Sequence, residues 1–184
     1  MIDKIKYYSN EYKLDTRIVY GICVTESSLQ ITAARFEPGY RYFYNPEEVR
    51  QKGCNVITEK AFQATSWGIM QVMGAVYREL GFRGILPLIL SDIDTQLKYG
   101  CMHLSNLKKR NPNGSDYIAA YNAGKPIRDI TGKYKNQDYV NTVLKYSSKY
   151  TEALNSWSDK IIIGENKWAH QLLHFLGVTQ RNTP

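Results

Sequence analysis

The sequence predicts a mainly α-helical fold, on the strength of three apolar stripes and an ordinary apolar content. The stripes lie in residues 18–26, 93–107 and 139–154, where apolar side chains recur every three or four positions. That spacing places them on one face of an α-helix. A chain of 184 residues with 43% hydrophobic residues also suits a domain with its own core, since single domains commonly hold roughly 100 to 200 residues.

The first of these helices is expected to begin at an Asp15 or Thr16 cap, because such side chains accept hydrogen bonds from free N–H groups at a helix start. Glu26 continues its apolar face. Apolar surroundings and the negative end of the helix both disfavour a charged carboxylate, so we expect a raised pKa for Glu26, as a general acid requires. The alternative is that Glu26 caps the helix or pairs with a lysine or arginine. The stripe consists of Ile18, Val19, Ile22 and Cys23.

Further helix signals follow in the middle of the chain. A helix is predicted from Met70 to Leu80, closed by Gly81, because glycine commonly ends helices. Ser91 with Asp94 three residues later resembles a capping box and predicts a long helix that runs to about Lys109.

The last helices are shorter or lie near the C-terminus. Ser115 can cap a helix over residues 116–123 that ends at Gly124. The stripe after it consists of Tyr139, Val143, Tyr146, Tyr150 and Leu154, and a final amphipathic stripe of Trp168, Leu172, Phe175 and Leu176 ends at Gly177.

Four short motifs in fixed order resemble those of the lytic transglycosylases. They are Thr25-Glu26-Ser27, Gly68-Ile69-Met70-Gln71, Ala120-Tyr121-Asn122-Ala123-Gly124 and Tyr139-Val140. The resemblance spans roughly residues 5–150 and implies the lysozyme-like α-helical fold of the goose-type lysozyme superfamily. We accordingly expect a catalytic domain over residues 1–156 and a C-terminal helical extension over residues 157–184.

The resemblance also implies roles for single residues, with no cofactor and no metal. Glu26 would be the single catalytic acid and base, assisted by Ser27 and Tyr139. Met70 and Gln71 would line the glycan groove. Tyr121 and Asn122 would contact the sugar or the reacting centre.

The chemistry implied by the resemblance is cleavage of the β-1,4 bond between N-acetylmuramic acid and N-acetylglucosamine. Glu26 would protonate the bridging oxygen while the substrate's acetamido group steadies the developing positive charge. It would then deprotonate the muramic 6-hydroxyl, which closes a 1,6-anhydro ring without water. One carboxylate serves both steps, unlike the carboxylate pair of most glycosidases.

The sequence departs from the family in the wide gap between Glu26 and Gly68, which predicts an inserted lobe over about residues 35–65, with room for a small β-hairpin. The lobe begins with the basic and aromatic segment 35–44 and continues with Asn45-Pro46, a helix-start signal. Its aromatic rings can stack on sugars, with arginines meeting carboxylates, or they can pack the lobe itself. Both interpretations stay open.

Glu37 in this lobe carries the main alternative function. A second carboxylate near Glu26 could position a water molecule, which would make the enzyme a hydrolytic muramidase with reducing-end products. Equally, Glu37 can form an ion pair with Arg35 or Arg41. The sequence alone does not place Glu37 relative to Glu26 in space.

Amino-acid composition and net charge limit the remaining alternatives for the function. A net charge of +7 and many tyrosines fit a nucleic-acid-binding protein, but the charges are spread along the chain and no recognition helix is evident. Bacterial walls would attract the same positive surface, so peptidoglycan is the expected partner and nucleic acid is not. An inactive glycan-binding module is a third interpretation. The three cysteines are widely spaced, which favours free thiols.

Location is predicted from the start of the chain. The N-terminus leads directly into a helical pattern, with no signal-peptide core, and no apolar run is long enough to span a membrane. We therefore expect cytoplasmic synthesis with phage-type release or delivery to the cell wall. The C-terminal extension would cover the catalytic lobe or bind other phage or cell-envelope proteins. His170 and His174 are interpreted as surface residues, not metal ligands.

Overall fold

Helices make up most of the protein, which is described by a computed structural model over residues 1–154. The mainly α-helical fold predicted from the sequence is confirmed. The helices are α1 Ile2–Glu11, α2 Thr16–Ser27, α3 Pro46–Val49, α4 Val56–Gln63, α5 Gly74–Glu79, α6 Ile93–Arg110, α7 Asp116–Ala123 and α8 Gln137–Ser147, with a 3₁₀ helix at Leu86–Ser91.

Residues 1–148 form one compact unit, and a second unit starts at Lys149. Of the second unit, the structure describes residues 149–154, which are helical from residue 150. The boundary predicted after residue 156, the stripe that ends at Gly177, and the pair His170 and His174 lie outside the described residues. Within residues 1–154, no helix combines the length and the apolar character that a membrane crossing requires.

A small antiparallel sheet accompanies the helices. Its strands are β1 Ala34–Phe36, β2 Thr65–Trp67 and β3 Val72–Met73, in the order β1-β2-β3. Arg35 pairs with Ser66, and Trp67 pairs with Val72. The hairpin is formed by β2 and β3 at the C-terminal edge of the inserted lobe, while the interior of the lobe holds α3 and α4. The sheet therefore closes the base of the lobe.

The core sits between α2 and the helices around it. The apolar stripe predicted for α2 is buried in full, and Cys101 of α6 is buried with it. Gly21 allows the close approach of α8, because a Cβ at this position would lie only 2.4 Å from the carbonyl oxygen of Val143. Since α2 carries Glu26 and α8 carries Tyr139, this contact sets the two side chains near each other.

Two predicted helix starts are wrong, and both errors have local causes. The helix expected from Met70 begins at Gly74 instead, because residues 72–73 pair with β2 and Gln71 has a φ of 47°. The cap of α6 is Asp92, whose carboxylate accepts from the N–H groups of residues 94 and 95, whereas the Ser91 hydroxyl donates to the carbonyl of Leu88. By contrast, Asp15 caps α2 as predicted.

The inserted lobe has a polar core of its own. Glu59 on α4 and Arg78 on α5 form a buried ion pair, with Nε to Oε1 at 2.8 Å and Nη2 to Oε2 at 3.0 Å. Gln63 donates to Glu59 Oε1 at 3.0 Å and exchanges two hydrogen bonds with the backbone of Tyr44. These bonds tie the loop before α3 to α4 and α5.

Candidate active site

Glu26 lies in the last turn of α2, where that helix meets α8. Its side chain is partly exposed, and its Oε1 accepts a hydrogen bond of 2.6 Å from the hydroxyl of Tyr139. Within the described residues, no lysine or arginine nitrogen forms an ion pair with it. The carboxylate is thus enclosed on the protein side and still open to a ligand.

The environment of Glu26 disfavours its charge. Burial raises the pKa of the Glu26 carboxyl above its ordinary value, while the hydrogen bond from Tyr139 and the positive charge of Arg35 act in the opposite direction. Desolvation is the largest of these effects, because a carboxylate that is removed from water loses hydration that one hydrogen bond does not replace. A carboxyl group of this kind can hold a proton at a pH where ordinary glutamates have lost theirs.

Tyr139 faces Glu26 from the first turn of α8. Burial raises the pKa of its phenol, and the nearby Glu26 charge raises it further. The hydroxyl therefore stays protonated and can only donate to the carboxylate. This donor holds one carboxylate oxygen in place and leaves the other for chemistry.

Ser27 connects α2 to the turn between β2 and β3. Its hydroxyl lies 2.8 Å from the carbonyl oxygen of Ile69 and 3.2 Å from that of Cys23. Ser27 therefore fixes the position of the Gly68–Gln71 turn relative to Glu26. Both of these hydrogen bonds go to backbone carbonyls and not to the Glu26 carboxylate.

Met70 and Gln71, the residues predicted to line the glycan groove, lie in the turn between β2 and β3. Met70 is fully buried and packs against Gly100, where a Cβ would lie 2.3 Å from its sulfur. The amide of Gln71 donates to the carbonyls of Ala33 and Gly68, and its oxygen accepts from Ser66. The Met70 side chain therefore packs in the core, and the Gln71 amide group is held by hydrogen bonds within the turn and to Ala33 and Ser66.

Gln96 is a positioning residue that sequence reasoning missed. Its oxygen accepts from the N–H of Ile69 at 2.7 Å, and its amide donates to the carbonyls of Ile31 and Ile89. Gly68 leaves room for it: a Cβ there would lie 2.3 Å from Gln96 Oε1. The signal was a polar residue next to the buried stripe of α6, which periodicity alone treats as a break in the pattern.

Tyr121 and Asn122 end α7 on the other side of the turn. The Tyr121 hydroxyl donates to the carbonyl of Met70 at 2.8 Å, and burial, with a smaller contribution from the Glu26 charge, raises its pKa. Asn122 is exposed, and its oxygen accepts from Asn136 at 3.0 Å. Tyr121 thus supports the turn beside Glu26, while Asn122 presents its amide group to solvent.

His103 on α6 was passed over in the sequence. Its ring lies 5.4 Å from that of Tyr121, centroid to centroid, and burial lowers its pKa to about 4. At neutral pH it is an uncharged packing partner of Tyr121. It therefore adds no positive charge beside the site.

Glu37 lies just past β1 and pairs with Arg35, with Oε1 2.6 Å from Nε. This is the ion pair that the sequence left open as one of two interpretations. Both side chains are exposed to solvent over a substantial part of their surface, and Arg35 also contributes to the electrostatic environment of Glu26. The two acidic residues therefore share a neighbour, and only Glu37 makes an ion pair with it.

Comparison with known protein families shows which family has this arrangement of residues. A family model, the transglycosylase SLT domain, matches residues 3–142, which include Glu26, the Gly68–Gln71 turn and Tyr139. The chain belongs to the transglycosylase SLT domain family. No curated protein matches the chain as an individual relative.

Membership in the SLT family accounts for the general activity. An SLT domain is a peptidoglycan-cleaving transglycosylase, so this protein is a glycan-cleaving enzyme whose substrate is peptidoglycan. The match ends at residue 142, inside α8. The matched residues include α2, which carries Glu26, and the first part of α8, which carries Tyr139.

Proposed function

We propose that this SLT domain is a lytic transglycosylase that cleaves the β-1,4 bond between N-acetylmuramic acid and N-acetylglucosamine and leaves 1,6-anhydromuramic ends. The observation that carries the proposal is the state of Glu26: a carboxyl group with a raised pKa, one phenolic donor and no ion pair among the described residues. A single group of this kind can give a proton and take one back.

In the first step Glu26 protonates the bridging oxygen, and the sugar bond breaks as positive charge develops on the muramic ring. The substrate's own acetamido group steadies that charge. Once deprotonated, Glu26 is a carboxylate in a desolvated site, where the hydrogen bond from Tyr139 stabilises it. Such a carboxylate is a strong enough base to take the proton of the muramic 6-hydroxyl, and attack of that oxygen on the anomeric carbon closes the ring.

Hydrolysis is the second candidate, since Glu37 is the acidic residue that shares Arg35 with Glu26. In a muramidase Glu37 would orient water for attack on the anomeric carbon. Its ion pair with Arg35 supports a structural role more directly, because the carboxylate that would accept a proton from water is already neutralised by a cation. We therefore rank transglycosylation first.

Mass spectrometry of fragments released from purified peptidoglycan tests this choice. The parent is expected to release anhydromuramic ends, Glu26→Gln none, and Glu37→Gln the same products as the parent. Reducing ends that disappear in Glu37→Gln would instead establish the muramidase. A Glu26→Gln variant that cleaves as fast as the parent would remove Glu26 from the mechanism.

A further inference from the structure

Two groups of aromatic residues stand out in segment 35–44, and the ring of Tyr40 contacts one member of each, Tyr42 and Phe43, at 5.8 Å between centroids. Phe43 and Tyr44 pack on the lobe itself: Lys60 lies 5.9 Å above the ring of Phe43, and Arg83 lies 5.9 Å above that of Tyr44. Gln63 holds the Tyr44 backbone by two hydrogen bonds. The two interpretations left open by the sequence thus apply to different residues, and this group belongs to lobe packing.

The other group points to solvent. Phe36 is 56% exposed and Tyr42 is 83% exposed, while the Arg35 side chain is 73% exposed. Arg41 is exposed as well and has no ion-pair partner among the described residues. We call Arg35, Phe36, Arg41 and Tyr42 the outer strip. Exposed aromatic surface next to Arg41, a cation without an ion-pair partner among the described residues, contributes little to folding, which indicates a ligand-binding role.

The outer strip is continuous with the active site. Arg35 and Phe36 belong to β1, and the residue before that strand, Ala33, accepts through its carbonyl from the N–H of Gly68 and from the Gln71 amide. The same turn is held to α2 by Ser27. The charge of Arg35 reaches Glu26 itself. A polymer held at Glu26 therefore has the Arg35 and Phe36 end of the strip beside it, and the turn closed by the hydrogen bond from the Tyr40 N–H to the Glu37 carbonyl leads from that end to Arg41 and Tyr42.

The chemistry of the strip matches a sugar polymer that carries acidic peptides. Aromatic faces bury the apolar faces of sugar rings, and a guanidinium binds a carboxylate through two parallel hydrogen bonds. Arg35 is occupied by Glu37, so Arg41 is the arginine that is available to a ligand. In peptidoglycan the lactyl group of muramic acid is joined by an amide to a peptide that carries free carboxylates. In a strand whose peptides have been removed and whose lactyl groups are capped as amides, those carboxylates are gone.

We propose that the outer strip binds the peptide-bearing part of the glycan strand next to the bond that is cleaved, with Arg41 on a peptide carboxylate and Tyr42 on a sugar face. The inference rests on the proposed function, since it uses the same site and substrate. It makes the inserted lobe a specificity element that distinguishes peptide-bearing strands from stripped ones. The strip lies in the insertion, outside the four motifs of the resemblance.

Binding by the Glu26→Gln variant tests the inference without any cleavage. Two immobilised glycan preparations, both freed of phosphate polymers, serve as probes. One keeps its peptides; the other has had them removed by an amidase, and the lactyl carboxylates that this hydrolysis frees are capped as amides. In the Glu26→Gln background, Arg41→Gln is expected to weaken binding to the peptide-bearing material by roughly five-fold, as loss of one exposed charge pair would do. Binding to the stripped material should not change.

Matched controls separate the strip from general charge and aromatic content. Lys109→Gln on α6 removes one exposed positive charge, and Tyr7→Ala removes an exposed ring from α1. Tyr42→Ala should weaken binding to both materials, since stacking on sugar does not need the peptide, whereas the two controls should bind like their background. Circular dichroism and melting temperature establish that each variant is folded.

The outcomes distinguish the two proposals. The inference is wrong if Arg41→Gln binds both materials as Lys109→Gln does, or if it loses the same affinity for both, because the strip then does not recognise peptide carboxylates. This conclusion would hold even if the parent releases anhydromuramic ends. If the peptide-dependent loss appears while the parent releases no fragments, the inference holds and the catalytic proposal fails. A second copy of this chain as the occupant would appear as a dimer lost in Tyr42→Ala, which also contradicts the inference.

Discussion

Glu26 and Glu59 are both enclosed carboxylates, but in the part of the chain that the structure describes only Glu59 is paired with a cation. Glu59 is 1% exposed and Arg78 is 0% exposed, and two short contacts join them. Glu26 has a phenol as its partner and a raised pKa. A neutralised carboxylate holds two elements together, whereas an unneutralised one is ready to exchange a proton. Burial alone therefore does not identify the catalytic acid, and its partner does.

The largest expected effect is the loss of cleavage in Glu26→Gln. The amide keeps the shape of the side chain and its contact with Tyr139, but it has no proton to transfer. We expect kcat to fall by roughly 10²- to 10⁴-fold, with the melting temperature unchanged or higher, measured as release of soluble fragments from peptidoglycan. If Glu26→Gln kept its activity, Glu26 would not be the catalytic acid, and the proposed difference in role between Glu26 and Glu59 would be wrong. Glu79→Gln, on α5 outside the site, is the control and should cleave like the parent.

Glu59→Gln should have the opposite profile, with a large effect on stability. The change leaves the Arg78 guanidinium buried without its counter-charge, which costs about 3–5 kcal/mol of the free energy of unfolding. Urea denaturation measures the loss, and the Glu59→Leu/Arg78→Met double variant should recover most of it, because no charge is then left buried. If the single variant were as stable as the parent, the ion pair would not be what secures the lobe.

Tyr139→Phe sharpens the comparison by removing the side-chain hydrogen-bond donor that Glu26 has within residues 1–154. The hydrogen bond from Tyr139 favours the charged carboxylate and lowers its pKa, so without it the pKa of Glu26 rises further. Since the first step needs the protonated acid, the fall of kcat/KM at high pH should move to higher pH in Tyr139→Phe. Tyr7→Phe is the control. A pH profile that does not move would show that the bond has no bearing on proton transfer.

The smallest effect concerns stability as a function of pH. The folded pKa of Glu26 is raised above its ordinary value of 4.5, so the folded state keeps the proton over a range where the unfolded chain has lost it. The contribution of Glu26 to stability is therefore greatest below the ordinary value and is lost as pH rises through the raised pKa. Denaturation of the parent and Glu26→Gln across this range should show a decline in the parent alone.

Much of the helical framework could be predicted from local pattern. The range of α7 and the Asp15 cap of α2 agree with the structure, because a cap and an apolar period act within a few residues. The start of α5 could not be predicted in this way, since β3 exists only through its pairing with β2. The cap of α6 at Asp92 instead of Ser91 is an error of one residue between two competing local acceptors.

The residues of the site likewise divide into those that a motif predicted and those that only the structure revealed. Glu26 and Tyr139 were singled out by motif, and the 2.6 Å bond between them joins residues 113 positions apart. Met70 and Gln71 belong to another of the four motifs, and the structure adds what the motif does not show: the Met70 side chain is buried and the Gln71 amide is bonded within the turn. Gln96 and His103 were missed, because a polar residue beside the apolar stripe of a long helix is ordinary until its partners are known.

By itself the sequence determined which segments form helices, that Glu26 continues an apolar face, and which family the chain resembles. These properties depend on the order and period of neighbouring residues. Tertiary structure alone decided that Arg78 neutralises Glu59, that the Tyr139 hydroxyl donates directly to the Glu26 carboxylate, and that Tyr42 points to solvent while Tyr44 packs on the lobe. The physical reason is that a charge's free energy depends on its neighbours in space, and those neighbours come from distant parts of the chain.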